Sequence, residues 1–417
     1  MKDIPRKRAI ASCTVLVMSL AAAAACDSGS ERHPLSARPY DAARQVALNA
    51  PTGSAKADPE KAVEVRAKGK DGRITDVTAV DAAGRYLAGE LAADGSRWRS
   101  TGPLAAGTRY TVKIATEDKD GAPGARVQAF ETAPAKNTLK IELGPKAGTY
   151  GVGQPITAEF SEPVRTQDAR AAVERALTVR STPAVSGAWH WVDDKKAHYR
   201  PKEYWPAGAT VQVRSNMEGV KVGDKLYGGS TTPLKLSIGD RIEAITDAST
   251  HQMTVLRNGE VINTIPVTTG KPGFSTRNGV KVVLGKEYFV RMRGTSIGIP
   301  EGSSESYDLP VYYATRVTWS GEYVHAAPWS AGSQGWANVS HGCTGMSTGN
   351  AAWFFNTVRE GDIVKVVNSL GSTMDPFGNG FGDWNLDWDE WRDGSALLEG
   401  AREGGSPAEL ARLQPQV

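Results

Sequence analysis

Cysteine is scarce in this chain of 417 residues, which contains only three, at positions 13, 26 and 343. The first two lie within or at the edge of an N-terminal segment typical of an export signal, so Cys343 has no disulfide partner in the mature chain. An unpaired thiol is a liability in an oxidising, extracytoplasmic compartment unless its chemistry is used. We therefore interpret Cys343 as a candidate nucleophile.

The mature chain also lacks net charge. Of 49 Lys and Arg and 46 Asp and Glu, four basic residues and Asp3 fall in the first 25 positions, which leaves 45 of each sign. A neutral protein exerts no general attraction on polyanions. This balance argues against nucleic acid as a partner and against a polybasic membrane patch.

Long apolar segments are missing apart from residues 9–25, a run shorter than the ~20 residues of a usual transmembrane helix. The run leads into Ala23-Ala24-Ala25-Cys26, which resembles a relaxed lipoprotein signal with Ala23 where bacterial lipoproteins usually carry Leu. We expect the mature chain to begin at Cys26, to be lipidated there and to sit on the outer face of the cell membrane. Simple cleavage and a retained membrane anchor stay open as alternatives.

What the chain does contain is a succession of short alternating strands separated by Asp-Gly and Ala-Gly turns, which predicts a mainly β protein. We expect two immunoglobulin-like β-sandwich domains followed by a β-rich third domain that carries Cys343. The predicted division is a lipoprotein signal peptide over 1–25, a flexible tether over 26–60, sandwiches over 61–136 and 137–238, the third domain over 239–368, a C-terminal subdomain over 369–400 and a disordered tail over 401–417.

Short sequence patterns predict a hairpin and a helix in the third domain and a tryptophan-bearing helical face in the subdomain. Asn258-Gly259 between two alternating runs predicts a hairpin with a type I′ turn. A helix over 350–359, capped by Ser347 or Thr348, would place the nucleophile just before a helix. Trp384, Trp388 and Trp391 are spaced as one helical face, which favours packing against a neighbouring domain, with stacking on sugar rings as the alternative.

The residues around the thiol suggest acyl-transfer chemistry. In an extended segment, His341 and Cys343 would share a face, and Gly342 would let backbone or substrate approach closely. A neighbouring imidazole and the start of a helix would both favour the thiolate, and backbone N–H groups at 342 and 343 would face a developing oxyanion. His-x-Cys alone is weak evidence. One cysteine and two histidines, with His325 as the second, also leave zinc open, although no HExxH or CxxC is present.

These residues resemble a known family. His325, a gap of fourteen residues, and then Ser340-His341-Gly342-Cys343 is similar to the signature of YkuD-type L,D-transpeptidases, the cysteine enzymes of bacterial peptidoglycan. Residues 323–330, 350–355, 361–364 and 382–385 resemble the actinobacterial branch. That branch also has a lipoprotein start, two immunoglobulin-like domains and a C-terminal subdomain, so the resemblance spans nearly the whole mature chain.

The resemblance implies roles for the catalytic positions. Cys343 would be the nucleophile and His341 the general base, with the Ser340 backbone carbonyl orienting that imidazole. His325 would be a supporting histidine near the mouth of the site.

It also implies substrate contacts. Tyr307 would help to hold the substrate carbonyl oxygen, and Ser320-Gly321 would be a turn bordering the substrate. Met292 and Trp329 would line the path beneath an active-site lid over 290–319. Packing roles for Met292 and Trp329, and a simple turn at Ser320-Gly321, stay open as alternatives.

One position departs from the family. Many relatives have Asn two positions after the nucleophile, where this chain has Gly345. A missing amide removes hydrogen-bonding capacity near the substrate. We therefore treat Gly345 as a position that affects which donors and acceptors fit.

The implied reaction is the formation of 3→3 cross-links between peptidoglycan stem peptides, with release of D-alanine from a donor tetrapeptide and no metal or organic cofactor. Carbapenem-type β-lactams would acylate Cys343. Three alternatives remain: an L,D-carboxypeptidase, an enzyme that attaches proteins to the wall, and a non-catalytic wall-binding scaffold.

Overall fold

The first part of the chain forms a sandwich of two four-stranded sheets. The computed structural model describes residues 38–51, 53, 55–69 and 72–397, so the predicted signal peptide, the lipidation site Cys26 and the predicted tail over 401–417 lie outside the described residues. The sheet orders are β2-β3-β6-β5 and β1-β8-β7-β4, and Val65, Trp98 and Val112 are buried between them. The strands are β1 Tyr40–Asp41, β2 Val46–Leu48, β3 Glu64–Ala67, β4 Gly72–Asp81, β5 Gly89–Leu91, β6 Arg97–Ser100, β7 Arg109–Asp118 and β8 Pro123–Glu131.

The predicted tether over 26–60 is too long at its C-terminal end. Strand β1 pairs in parallel with β8, and β2 pairs with β3, so residues 40–48 are integral to the first sandwich. Val46 is buried in its core. Only three residues of β2 carry this pairing, which is too short a run for an alternating pattern to stand out in the sequence.

The second part is another sandwich. Its sheets run β10-β12-β15-β14 and β11-β19-β16-β13, and a small third sheet, β17-β18-β9, lies beside them. One helix, Gln167–Ala176, interrupts the strands, and the Thr166 side chain caps its first turn. The elements are β9 Asn137–Leu139, β10 Ile141–Gly144, β11 Gly148–Tyr150, β12 Ile156–Phe160, α1 Gln167–Ala176, β13 Leu177–Thr182, β14 Gly187–Trp191, β15 Lys196–Pro201, β16 Thr210–Ser215, β17 Lys221–Gly223, β18 Leu226–Gly228 and β19 Leu234–Ile238.

The third part contains a five-stranded sheet, β22-β21-β20-β28-β23, and a four-stranded sheet, β24-β25-β26-β27. Met253, Val324 and Phe354 are buried in one core shared by strands of both sheets and helix α2. Asn258 and Gly259 have positive φ at the β21–β22 turn, as the hairpin prediction requires. The elements are β20 Ile242–Asp247, β21 Gln252–Arg257, β22 Glu260–Pro266, β23 Gly279–Val282, β24 Gly285–Arg293, β25 Asp308–Arg316, β26 Tyr323–Ala326, β27 Thr344–Met346, α2 Thr348–Thr357 and β28 Ile363–Val367.

The C-terminal segment packs against the second sandwich. A 3-10 turn, Asp383–Asn385, precedes the short helix α3, Trp388–Asp393. The guanidinium of Arg200, on β15, lies 4.5–5.6 Å from the ring centroids of Trp384, Trp388 and Trp391. The three tryptophans therefore pack on a neighbouring sandwich, although Trp384 belongs to the turn and only the other two to the helix.

Within the described residues, we find no helix that is both long and apolar enough to cross a membrane.

Candidate active site

A cavity of about 940 Å³ lies beside the four-stranded sheet of the third part. All eleven positions that the sequence assigns to catalysis or substrate binding line it: Met292, Tyr307, Ser320, Gly321, His325, Trp329, Ser340, His341, Gly342, Cys343 and Gly345. They come from four separate stretches of the chain, which the sheet and its connections bring together.

The loop before β27 is held in a bent conformation. Gly342 has φ +121°, a region that favours glycine, and its N–H donates to the Ser340 hydroxyl at 3.1 Å. That hydroxyl donates in turn to the Cys343 carbonyl at 2.6 Å, and the Thr276 hydroxyl donates to the Gly342 carbonyl at 2.8 Å. The expectation that residues 341–343 are extended is therefore wrong. Because the Gly342 N–H is already used, it is also not free to face an oxyanion.

The nucleophile candidate lies at the edge of two neighbouring strands. The Cys343 thiol is partly exposed and donates to the Gly321 carbonyl across 3.6 Å, while the Tyr323 backbone also hydrogen-bonds the sulfur. Burial of this group raises the pKa of Cys343 to about 11, against a smaller lowering by the Tyr323 contact. Strand β27 separates Cys343 from α2, which begins only at Thr348. The predicted thiolate is therefore contradicted for the resting state, and the expected helix start does not directly follow the cysteine.

His325 shares a face with Cys343. Strands β26 and β27 run in parallel with His325 opposite Gly345, so the alternation of side chains places His325, Gly345 and Cys343 on the cavity side, while Val324 points into the core. The His325 Nδ1 lies 2.8 Å from the Ala326 carbonyl, and burial lowers the pKa of this imidazole. A carbonyl only accepts, so Nδ1 carries the hydrogen and Nε2 keeps its lone pair. His325 is thus a neutral imidazole with a free basic nitrogen.

His341 is bound differently. Its Nε2 lies 2.6 Å from a carboxylate oxygen of Glu305, which also pairs with Lys271 Nζ at 2.5 Å. The ring packs edge-on against Phe274, 4.7 Å away, and at 5.0 Å from Tyr307. The Ser340 carbonyl, which was expected to orient this ring, accepts the Lys271 backbone N–H at 3.0 Å. The contacts of His341 are those of a side chain that ties the rim of the cavity together.

The predicted lid is the hairpin of β24 and β25, with its tip at 294–307. Met292 is partly buried on the cavity side of this hairpin, where it packs with Val311 near Cys343. Tyr307 ends the tip, and burial raises the pKa of its hydroxyl. Tyr307 lines the same cavity as Cys343, where its hydroxyl can donate to a substrate oxygen.

The remaining predicted contacts border the opening. Ser320 and Gly321 form the turn between β25 and β26, and Gly321 adopts φ +102° so that its carbonyl meets the thiol. Trp329 is half exposed, with its ring 6.0 Å from His325.

Gly345 is fixed by its backbone, which exchanges two hydrogen bonds with Thr268. A Cβ at position 345 would lie 2.9 Å from the Ala327 Cβ and 3.1 Å from the Thr268 Cγ2. The asparagine of other family members would therefore need its neighbours to shift here.

The sequence did not identify several charged residues of the site. Lys281 is fully buried, with Nζ 2.5 Å from one oxygen of Glu322, and Arg277 Nη1 lies 2.9 Å from the other oxygen. A lysine inside the apolar strand β23 was the one available signal. Glu305 and Lys271 sit in polar loops, where no spacing pattern marks them.

Within the described ranges, no three of the His, Cys, Asp and Glu side chains converge on a point suitable for a metal ion.

Comparison with known proteins places these features in families. Residues 54–221 match the family described as a bacterial Ig domain, and residues 241–366 match the L,D-transpeptidase catalytic domain, YkuD. The first match spans both predicted sandwich domains, so the boundary at 136/137 stays a prediction.

Curated relatives extend the similarity over most of the chain. L,D-transpeptidase 2 of Mycobacterium tuberculosis is 37% identical over 326 residues, which covers 78% of this chain and 79% of the relative. L,D-transpeptidase 1 of the same species is 41% identical over 262 residues, 62% of this chain and 92% of the relative. A solved L,D-transpeptidase in complex with imipenem is 37% identical, covers 55% of this chain and 99% of its own, and superposes with a TM-score of 0.48.

Proposed function

This chain belongs to the L,D-transpeptidases with a YkuD-type catalytic domain, and from that premise we propose that it forms 3→3 cross-links between peptidoglycan stems through a thioester on Cys343. The predicted fold class, a mainly β chain with immunoglobulin-like and YkuD-type parts, is confirmed, as is the assignment as an L,D-transpeptidase enzyme.

The observation that carries the proposal is the presence, in one cavity, of a protonated thiol and a neutral imidazole whose Nε2 is available as an acceptor. Cys343 is a thiol at neutral pH because its pKa is raised to about 11. The His325 Nδ1 donates to the Ala326 carbonyl, which leaves Nε2 as the acceptor of this cavity-lining imidazole. We therefore assign the general base to His325, in place of His341, whose Nε2 is bound to Glu305.

In the acylation step, the Cys343 proton moves to His325 Nε2 as the sulfur attacks the carbonyl carbon of the third residue of a donor tetrapeptide. The carbonyl oxygen becomes an oxyanion, to which the Tyr307 hydroxyl and the Cys343 N–H donate. The bond to the terminal D-alanine nitrogen then breaks, and that nitrogen takes the proton from His325. A thioester and free D-alanine result.

In the second step, the side-chain amine of the diamino acid in a neighbouring stem attacks the thioester carbonyl. His325 removes a proton from this amine, the C–S bond breaks, and the sulfur is reprotonated by the same imidazole. The products are a cross-linked dimer and the free enzyme. Water in place of the amine would give the L,D-carboxypeptidase alternative, and a protein amine would give attachment to the wall.

The test uses the purified mature protein with disaccharide-tetrapeptide, and mass spectrometry of the products. We expect a dimer lighter than two donors by one D-alanine, and none with Cys343→Ala. Hydrolysed tripeptide as the sole product would favour the carboxypeptidase. Equal dimer formation by Cys343→Ala would refute the proposal.

Carbapenems are proposed as inhibitors of this enzyme. Opening of the β-lactam ring by the Cys343 sulfur forms the same kind of thioester, with the ring nitrogen as leaving group. Intact mass after exposure to a carbapenem, followed by peptide mapping, should find one adduct, on Cys343.

We also propose that Cys26 is lipidated and that the enzyme works outside the cell, on the outer face of the membrane. The basic start, the apolar run over 9–25 and the small residues before Cys26 support this. Metabolic labelling with a fatty acid should mark the wild-type protein and not Cys26→Ala. After cell fractionation, the Cys26→Ala variant should be absent from the membrane fraction.

A further inference from the structure

Three arginines line the active-site cavity, and they differ in how fully they are paired. The Arg291 guanidinium makes two bonds to Asp308, at 2.6 and 3.0 Å. The Arg316 guanidinium faces Glu287, with two contacts of 3.4 Å. The Arg277 side chain makes a single bond, to Glu322, and is 40% exposed. Arg277 is thus the arginine of this cavity with most of its donors available.

The partner of Arg277 is also shared. The other carboxylate oxygen of Glu322 is bound by Lys281, which is fully buried and cannot reach a ligand. Two basic side chains therefore share one carboxylate, and Arg277 is the one of the two that is exposed to the cavity. A guanidinium in this state is suited to a second carboxylate, which it can bind through two parallel N–H groups.

The location of Arg277 relative to the reacting sulfur defines which carboxylate it meets. Glu322 lies between Gly321 and Tyr323, the two residues that hydrogen-bond the Cys343 sulfur. On the other side, Thr276, the neighbour of Arg277, donates to the Gly342 carbonyl. Glu322, which binds Arg277, and Thr276, which precedes it, therefore both lie next to residues that contact or carry the nucleophile.

From these contacts we propose that Arg277 binds the C-terminal carboxylate of the donor stem peptide. This inference rests on the proposed function, in which the bond that breaks is one residue from the C-terminus. That geometry brings the carboxylate of the departing D-alanine within one residue of the Cys343 sulfur. Glu322 and Lys281 act through Arg277 and are positioning residues: they fix its guanidinium at the cavity wall.

The experiment compares two donors, one tetrapeptide with a free C-terminal carboxylate and one with a C-terminal amide, by measuring kcat/KM for release of the terminal residue or its amide. Wild type should prefer the carboxylate by about tenfold or more, because a charge-assisted pair is lost with the amide. Arg277→Gln should bring this ratio close to one, and Arg277→Lys, which keeps the charge without the planar fork, should give an intermediate ratio. Arg291→Gln is the matched control and should keep the wild-type ratio.

Alkylation of Cys343 by iodoacetamide at one pH verifies that each variant retains its folded site. A wild-type ratio near one, or an unchanged ratio in Arg277→Gln, overturns the inference even though the enzyme turns over. Failure of the wild type to act on either donor would instead refute the proposed function. If Arg277→Gln does not fold, the wild-type and Arg277→Lys ratios still decide the question.

Discussion

At the scale of single residues, we assign different roles to the two histidines of the cavity, a proton carrier and a structural link. His325 is buried, and its contact through Nδ1 with the Ala326 carbonyl leaves the Nε2 lone pair available to accept a proton. His341 is tied to Glu305 on the hairpin tip. In this assignment, fourteen residues separate the base from the motif that contains the nucleophile.

Replacement of each histidine tests this division. We expect His325→Ala to lower kcat for D-alanine release by about 10²–10⁴, the usual contribution of general acid–base catalysis. His341→Ala should lower it by less than about tenfold, since this change loosens the rim and leaves the base intact. Both variants are compared in the same assay, after thermal unfolding has verified that their stabilities are equal. The reverse ranking would restore His341 as the base.

The raised pKa of Cys343 predicts a distinctive pH dependence of alkylation. Only the thiolate reacts, so below a pKa of about 11 the rate of iodoacetamide modification should rise about tenfold per pH unit from pH 6 to 10. A short cysteine peptide with the ordinary pKa of about 8.5 serves as control and should level off within this range. A plateau for the protein below pH 8 would show that the thiol is ionised at rest.

The sequence identified the residues whose possible roles follow from their own type and their immediate neighbours in the chain. An unpaired cysteine, its histidines and the glycine between them stand out because residue type alone limits their roles. The extended backbone expected for residues 341–343 was wrong, because Gly342 has φ +121°, so the spacing of His341 and Cys343 did not give the direction of their side chains. Glu305 and Glu322 were missed because their partners lie tens of residues away along the chain.

At the scale of elements, the hairpin of β24 and β25 covers the cavity with Met292 and Val311 on its inner side. Its tip is fixed to the floor by Glu305, which bonds His341 and Lys271. These two cationic or donor partners keep the pKa of Glu305 low, so the carboxylate stays charged at neutral pH. The contact between tip and floor is thus one charged side chain.

Removal of that charge should loosen the tip. In Glu305→Gln, hydrogen exchange of the backbone over 294–307 should become about twofold to fivefold faster, because an exposed ion pair contributes little more than this. Glu301→Gln, on the same tip, is the matched control and should leave exchange unchanged. Equal exchange in Glu305→Gln and wild type, measured by mass spectrometry, would show that the contact does not hold the hairpin.

Elements with regular periodicity were predictable, and irregular ones were not. The strand over 363–367 follows from its run of β-branched residues, and the β21–β22 turn follows from Asn-Gly. The three-residue strand β2 and the three-residue strand β27 do not, since pairing across the sheet stabilises them more than their own sequence does. The unexpected β27 displaced the helix start from the nucleophile.

At the scale of the whole molecule, the C-terminal segment joins the catalytic part to the second sandwich. Arg200 is buried under three tryptophans, and its guanidinium donates to the Leu386 carbonyl at 2.9 Å. Beside it, Asp383 is fully buried and lies 2.7 Å from His198 Nδ1. This cluster links strand β15 to the segment after the catalytic sheet. The spacing of the tryptophans was visible in the sequence, but the sequence did not show that they pack on Arg200.

Loss of Arg200 should destabilise the protein. Arg200→Ala removes the cation that the tryptophan rings surround and leaves Asp383 with less compensation, so the free energy of unfolding should fall by about 3 kcal/mol. Arg392→Ala, at a surface pair 3.8 Å apart, should change it by less than about 0.5 kcal/mol. Denaturant titration of both variants measures this, and equal stability would show that the cluster contributes nothing.

The most direct test of the account is the mass of the enzyme during turnover. Wild-type protein mixed with donor tetrapeptide and quenched in acid should gain the mass of the stem less one D-alanine, on the peptide that contains Cys343, and His325→Ala should form this adduct far more slowly. An adduct on another residue, or D-alanine release by Cys343→Ala at the wild-type rate, would contradict a thioester at position 343.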